Sequence, residues 1–246
     1  MQIDYIKTPY TTRPNMTRWT GPTFNTSPSN FYLDQKRQEL IERQTDLYAT
    51  TYEADINGLV RRANEYCNRP AHFSLVQLAL TLEEDIAIMY NGMLAAICFC
   101  FPSSWIPRER IGLQLGEIHK PVADGEVLVK MSSRLAETMS DVEQGSFRRH
   151  VWTVTTSSTL SNHPAKKEHK PAQSIDDLYF RSETQTTVPL GDGISSLFFV
   201  KVEVVPLTDI WADNKEQILD SINSMSDSII EYKNLKDIKE LLNTLR

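Results

Sequence analysis

The sequence is poor in the residues that build several common kinds of site. Nine glycines among 246 residues leave little room for a phosphate-cradling glycine-rich loop, and no GxSxG elbow or HExxH pair occurs. The three cysteines, Cys67, Cys98 and Cys100, lack the spacing of a zinc site. They read as reduced core residues of an intracellular protein. No apolar run approaches the roughly 20 residues of a membrane-spanning helix; the longest is MLAAICFCF at 93–101. The first ten residues, MQIDYIKTPY, have neither the basic start nor the apolar stretch of a secretory signal. Basic charge is also short, 26 Lys and Arg against 32 Asp and Glu, and is scattered along the chain. That argues against nucleic acid as a partner. The expectation is a cytoplasmic protein with no membrane and no nucleic-acid partner.

What is present is ordinary globular composition, 40% hydrophobic and 24% charged, enough for a core without staples. Residues 1–30 carry four prolines and no periodicity, and read as an arm laid over a domain or a partly disordered tail. Helical spacing begins at Asp34 through Leu40, Ile41, Leu47 and Tyr48, and resumes at Ile56, Leu59, Val60 and Ala63 until Pro70. DIAIMY (85–90) and MLAAICFCF flank Asn91-Gly92, the strongest short hairpin signal. A helix is expected over 126–141, followed by strand-like runs at 150–156, 177–190 and 194–207, the last two joined by Gly191-Asp192-Gly193. A long C-terminal helix over Ile218 to Tyr232 and a shorter one at 236–245 complete the pattern. The layout predicts an α+β fold: one antiparallel five-stranded sheet with packed helices, an N-terminal helical region and a C-terminal helix. Residues 31–246 are expected to form a single domain behind the arm.

Individual residues divide into bland and functional readings. Glu83-Glu84-Asp85 is expected to be a solvated turn, and His163 and His169 to be exposed in the Ser- and Lys-rich loop 157–174. His72 is expected to be structural, and Trp105 a core aromatic beside a turn. His119 differs. It lies between Leu115-Ile118 and Pro121-Val122, at an apolar wall where a ring nitrogen needs a partner. That partner is either a backbone group or a metal such as heme iron.

The order of motifs resembles the heme-dependent oxidative N-demethylase family, over about Phe31 to Trp211. The carriers are LEEDIAIMY (82–90), CFPSSWIPRERIGLQLGEIHKPV (100–122), RHVWT (149–153) and RSETQT (181–186). The long block has the form CFPSxW…K/R-x-G…IHxPV. The resemblance implies a PAS-like pocket for heme b, with His119 as axial iron ligand. It also implies oxygen-dependent oxidation of a small methylated amine of the dimethylamine kind, releasing formaldehyde, with dioxygen as co-substrate and electrons from a separate reductase. Arg181, Glu183 and Gln185 keep three positions of the family's RxERQT strand. Alternate strand residues share a face, so the three are expected to line the pocket or anchor a propionate, with Arg181 and Glu183 nearest the chemistry. Arg149 and Trp152 keep the Arg-x-x-Trp of the RxNW segment and are expected at the cofactor.

Two departures bear on this. Thr184 stands where the family has a second arginine, and Val151 where it has an asparagine. No carboxylate follows Trp152 until Glu168. A second function is therefore open, a PAS-like heme or small-molecule sensor that binds without turnover. A third is a heme-free relative in which His119 is only hydrogen-bonded.

Overall fold

The computed structural model describes residues 3–166 and 170–245. In chain order these hold β1 (Thr17–Trp19), α1 (Asn30–Leu47), β2 (Tyr48–Thr50), α2 (Ile56–Tyr66), α3 (Leu75–Ala79), β3 (Asp85–Tyr90) and β4 (Met93–Cys98). There follow α4 (Leu115–His119), α5 (Glu126–Ser140), β5 (Ser146–Thr155), β6 (Tyr179–Pro189), β7 (Ser195–Pro206), α6 (Thr208–Asn223), α7 (Asp227–Tyr232) and α8 (Lys236–Thr244).

All the strands join one antiparallel sheet in the order β1-β5-β6-β7-β3-β4-β2. The sheet has seven strands rather than five. The five long ones match the sequence expectation, and the additions are three-residue edges, too short for alternation to show. The β3–β4 hairpin turns on Asn91 and Gly92, with φ of 48° and 75°, the left-handed backbone such a turn requires. β2 begins where the first helix was expected to continue. Tyr48, Ala49 and Thr50 pair with Cys98, Ile97 and Ala96, and that edge pairing overrides the helical spacing.

Near the C-terminus the single long helix expected over 218–232 is two. Ser226 accepts a hydrogen bond from the Ile229 amide and starts α7, the use for which serine is favoured at helix starts.

Two apolar clusters result. One gathers α2, α3, β3, β4 and β7 around Leu59, Leu78, Ile86, Ile97 and Phe199. The other packs α6, α7 and α8 on Trp152, Val154 and Phe180, with Ile3 and Ile6 of the N-terminal segment buried in it. Each fully buried large side chain contributes about 1.5–3 kcal/mol. The N-terminal segment is tied down there. Gln217 Nε2 donates to the Ile6 carbonyl (3.0 Å), Ser221 Oγ to that of Lys7 (2.7 Å), and the Tyr10 amide donates to Ser224 Oγ (2.9 Å).

Two expectations of exposure are corrected. Glu83, Glu84 and Asp85 are all buried. Lys36, itself 0% exposed, lies 3.4 Å from Asp85 and donates to the carbonyls of Ala79 and Glu84, while Lys201 pairs with Glu83. Acids next to one another in sequence are here divided among separate cationic and backbone partners, so burial is compensated. Loop 157–166 is likewise drawn inward: Leu160, Ser161 and His163 are buried, His163 with only 1% exposure. His169 and Glu168 lie outside the described residues. Cys67, Cys98 and Cys100 are free and buried. Among the described residues no helix is long and apolar enough to cross a membrane.

Candidate functional site

A cavity of about 1050 Å³ lies among the sheet, the helices and the N-terminal segment, a volume at the top of the range of small-molecule and cofactor sites. Strand alternation decides which residues reach it. The β5–β6 register pairs Arg149 with Gln185, Val151 with Glu183 and Thr153 with Arg181, and β7 adds Phe198 and Val200 on the same face. Apolar walls come from Met89, Leu94 and Ile97 of the β3–β4 hairpin and from Leu128, Leu135 and Met139 of α5.

His119 ends α4. That short helix forms because Gln114 and Glu117 cap it, the Glu117 carboxylate accepting from the Gln114 amide at 2.9 Å. Gly116 lets it lie close to α5, since an added Cβ would come within 2.7 Å of Ser132 Oγ. The imidazole lines the cavity. Its Nδ1 lies 2.7 Å from the Leu115 carbonyl oxygen, which makes Nδ1 the protonated nitrogen and leaves Nε2 with a free lone pair. Among the described residues Nε2 has no hydrogen-bond partner. Burial pushes the pKa of His119 down, the bond to Leu115 partly offsets this, and the charge of Arg149 pushes it down further. The ring is neutral at pH 7, as a metal ligand must be.

The arginines have opposite fates. Arg181 is 3% exposed. It donates to the carbonyls of Phe101 (3.1 Å), Leu160 and Thr159 (3.4 Å), and to Ser103 Oγ (3.0 Å). It thereby braces turn 101–104 against loop 157–166, whose Asn162 amide also donates to the Pro102 carbonyl at 2.9 Å. Its donors are consumed by the protein. Arg149, half-buried at the other end of the same face, has no hydrogen bond or ion pair among the described residues. Burial lowers its pKa, while Glu183 and Tyr10 act against that. A guanidinium stays charged throughout, so Arg149 presents an uncompensated cation to the cavity.

Glu183 is the carboxylate of this face. Ser103 Oγ donates to one oxygen and Gln185 Nε2 to the other, at 2.8 Å. Glu183, Gln185, Arg149 and His119 thus meet in one cavity. Trp152 does not share their face. Its ring stacks on Phe180 at 5.8 Å and meets Tyr10 edge-on at 6.1 Å, within the second apolar cluster, and it too lines the cavity. Trp105 packs edge-on against Phe99 at 5.7 Å. The two departures separate as well. Thr184 pairs with His150 on the far face, its Oγ1 lying 3.3 Å from His150 Nδ1, whereas Val151 lines the cavity opposite Glu183.

A family model described as Haem-dependent oxidative N-demethylase, alpha subunit-like, matches residues 28–243. The chain belongs to this family. No curated protein matches it significantly. For an N-demethylase relative of this description the residues must suit a heme, and they do. A heme brings its own equatorial nitrogens and asks for one axial donor, not a chelating cluster. None of three or more His, Cys, Asp and Glu occurs among the described residues, and the unpartnered Nε2 of His119 is one such donor. The unpartnered Arg149 suits a propionate, and the apolar walls suit a porphyrin face.

Tyr10, Arg110 and Tyr232 also line the cavity. Arg110 carried a signal, since it is the basic residue of the K/R-x-G element in the 100–122 block. Tyr10 lies in an arm without periodicity, and Tyr232 looked like one more apolar position of a helix.

Proposed function

We propose that the protein binds heme b in a PAS-like pocket and catalyses oxygen-dependent oxidative N-demethylation of a small methylated amine of the dimethylamine kind, releasing formaldehyde. Family membership supports the reaction class. The observation that carries the site is His119, with Nδ1 held by the Leu115 carbonyl and Nε2 unpartnered at the cavity. Bound there, the heme would supply dioxygen activation and accept electrons from a separate reductase.

The remaining work falls to the chain. His119 holds the iron through Nε2, and the Nδ1–H bond fixes ring tilt and tautomer, the usual role of such a support. Arg149 would hold a propionate. Glu183 attracts the ammonium of the amine, and Ser103 and Gln185 fix the direction of its carboxylate. The walls from β3, β4 and α5 exclude water, which strengthens the attraction between amine and carboxylate. Arg181 acts from behind, holding Ser103 in place.

Purified protein loaded with heme should show a Soret band that moves in His119→Ala, and formaldehyde should appear from dimethylamine, dioxygen and an electron donor. An identical spectrum in the variant overturns the ligand assignment. A sensor without turnover is favoured by one observation, that both oxygens of Glu183 are already hydrogen-bonded within the protein. Fully heme-loaded protein that releases no formaldehyde would establish that reading over the enzyme.

A further inference from the structure

Two of the cations that line the cavity have no hydrogen-bond or ion-pair partner among the described residues. Elsewhere in the chain half-buried arginines are matched. Arg43 pairs with Glu39 and Arg62 with Asp192. Arg148 donates to the Pro22 carbonyl and lies 3.6 Å from the Trp19 ring centroid. Arg149 and Arg110 break the pattern. Both line the cavity, and among the described residues neither guanidinium makes a hydrogen bond or an ion pair. Tyr10, from the N-terminal arm, and Tyr232, from the end of α7, line the same cavity. The groups are close enough to feel one another, Tyr10 acting on Arg149 and on Tyr232, and Arg110 acting on Tyr232. The charge of Arg149 also reaches His119.

A half-buried guanidinium without an anion leaves its donors unused. The carboxylate on this face, Glu183, has both oxygens engaged by Ser103 and Gln185. What is missing is a ligand with anionic groups side by side. We infer that Arg110 and Arg149, aided by the hydroxyls of Tyr10 and Tyr232, form a seat for both carboxylates on the propionate edge of the heme. The seat rests on the heme reading above and extends it. It assigns roles to Arg110, Tyr10 and Tyr232. Tyr10 also lies outside the family match, which starts at residue 28. An arginine suits the task because its planar fork donates to both oxygens of a carboxylate.

Titration with ferric protoporphyrin IX and with its dimethyl ester, which keeps the iron and ring but loses both negative charges, tests the seat. Wild type should bind the free acid at least about tenfold more tightly than the ester, the size expected for charge-assisted hydrogen bonds. Arg110→Gln/Arg149→Gln should lose that preference while its affinity for the ester stays within about twofold, which also shows the variant to be folded. Arg110→Lys/Arg149→Lys should keep part of the preference. Equal binding of acid and ester by wild type, or an undiminished preference in the double Gln variant, overturns the seat alone. Wild type with no Soret band for either compound overturns the seat and the heme reading together.

Discussion

Arg181 and Arg149 stand on neighbouring strands, on one face of one sheet, and the protein treats them in opposite ways. At the Arg181 end the guanidinium, the carbonyls of Phe101, Thr159 and Leu160, and Ser103 satisfy one another. Nothing is left to offer a ligand. At the Arg149 end the charge is unmatched, and it shares the cavity with an imidazole nitrogen in the same condition. Both residues belong to motif segments, so motif membership does not distinguish structure from binding. Saturation of the donors does.

The sharpest way to break the comparison is to remove each arginine in turn. Arg181→Ala leaves several buried acceptors unpaired, at about 1–3 kcal/mol each, and should lower stability by at least about 3 kcal/mol in urea denaturation. Arg149→Ala breaks no internal bond and removes an unmatched half-buried charge, so its stability should be no lower than that of wild type by more than about 0.5 kcal/mol. Equal losses would mean that Arg149 has internal partners. A smaller effect is expected at the link between the two ends. Ser103→Ala takes a hydrogen bond from Glu183 and an acceptor from Arg181, and should cost about 1–3 kcal/mol. If Glu183 orients the amine, it should also raise the KM for dimethylamine.

The departures at Val151 and Thr184 sharpen the comparison further. Val151→Asn puts an amide on the cavity face opposite Glu183 and should change the rate of formaldehyde release by about two- to tenfold, the worth of one neutral hydrogen bond. Thr184→Arg, on the far face, should leave that rate alone. An equal change in both would show that the face of the strand does not decide the effect.

The mildest effect is expected from acid at the braced end. Burial lowers the pKa of His163 below its ordinary 6.5, outweighing the attraction of Asp46. The unfolded chain therefore binds this proton more readily than the folded one, so stability is full above pH 6.5 and declines as pH falls below it. The melting temperature of wild type should drop over that range, and His163→Gln should flatten the drop. A slope unchanged in the variant would remove His163 as its source.

Much of this architecture was legible in the residues. Alternation placed Arg181, Glu183 and Gln185 on one face, Asn91-Gly92 fixed a hairpin, and the 100–122 block marked His119. The limits were physical. The partners that consume Arg181 are backbone carbonyls 80 and 21 residues away in the chain, and a carbonyl has no sequence signature. Trp152 and Arg149 keep an odd spacing that strand geometry sends to opposite faces, so alternation alone gave no sign that both line one cavity. Glu83, Glu84 and Asp85 looked solvated because Lys36 and Lys201, which make their burial tolerable, come from α1 and β7. Loop 157–166 carries the composition of a surface segment and is pulled inward by Arg181, a contact that composition cannot encode.

The arm that brings Tyr10 to the cavity has a consequence in time. Lys7 accepts its hydrogen bond from Ser221, 214 residues further along the chain. Among the contacts around the cavity it spans nearly the whole polypeptide. Closing so long a loop carries a large entropic toll, and contacts of this separation are made late in folding. The sheet and the His119 wall can therefore assemble before the segment that carries Tyr10 settles. Hydrogen exchange should find the amides of residues 6–10 opening well before those of β6. A cofactor would then reach the cavity before Tyr10 joins its lining.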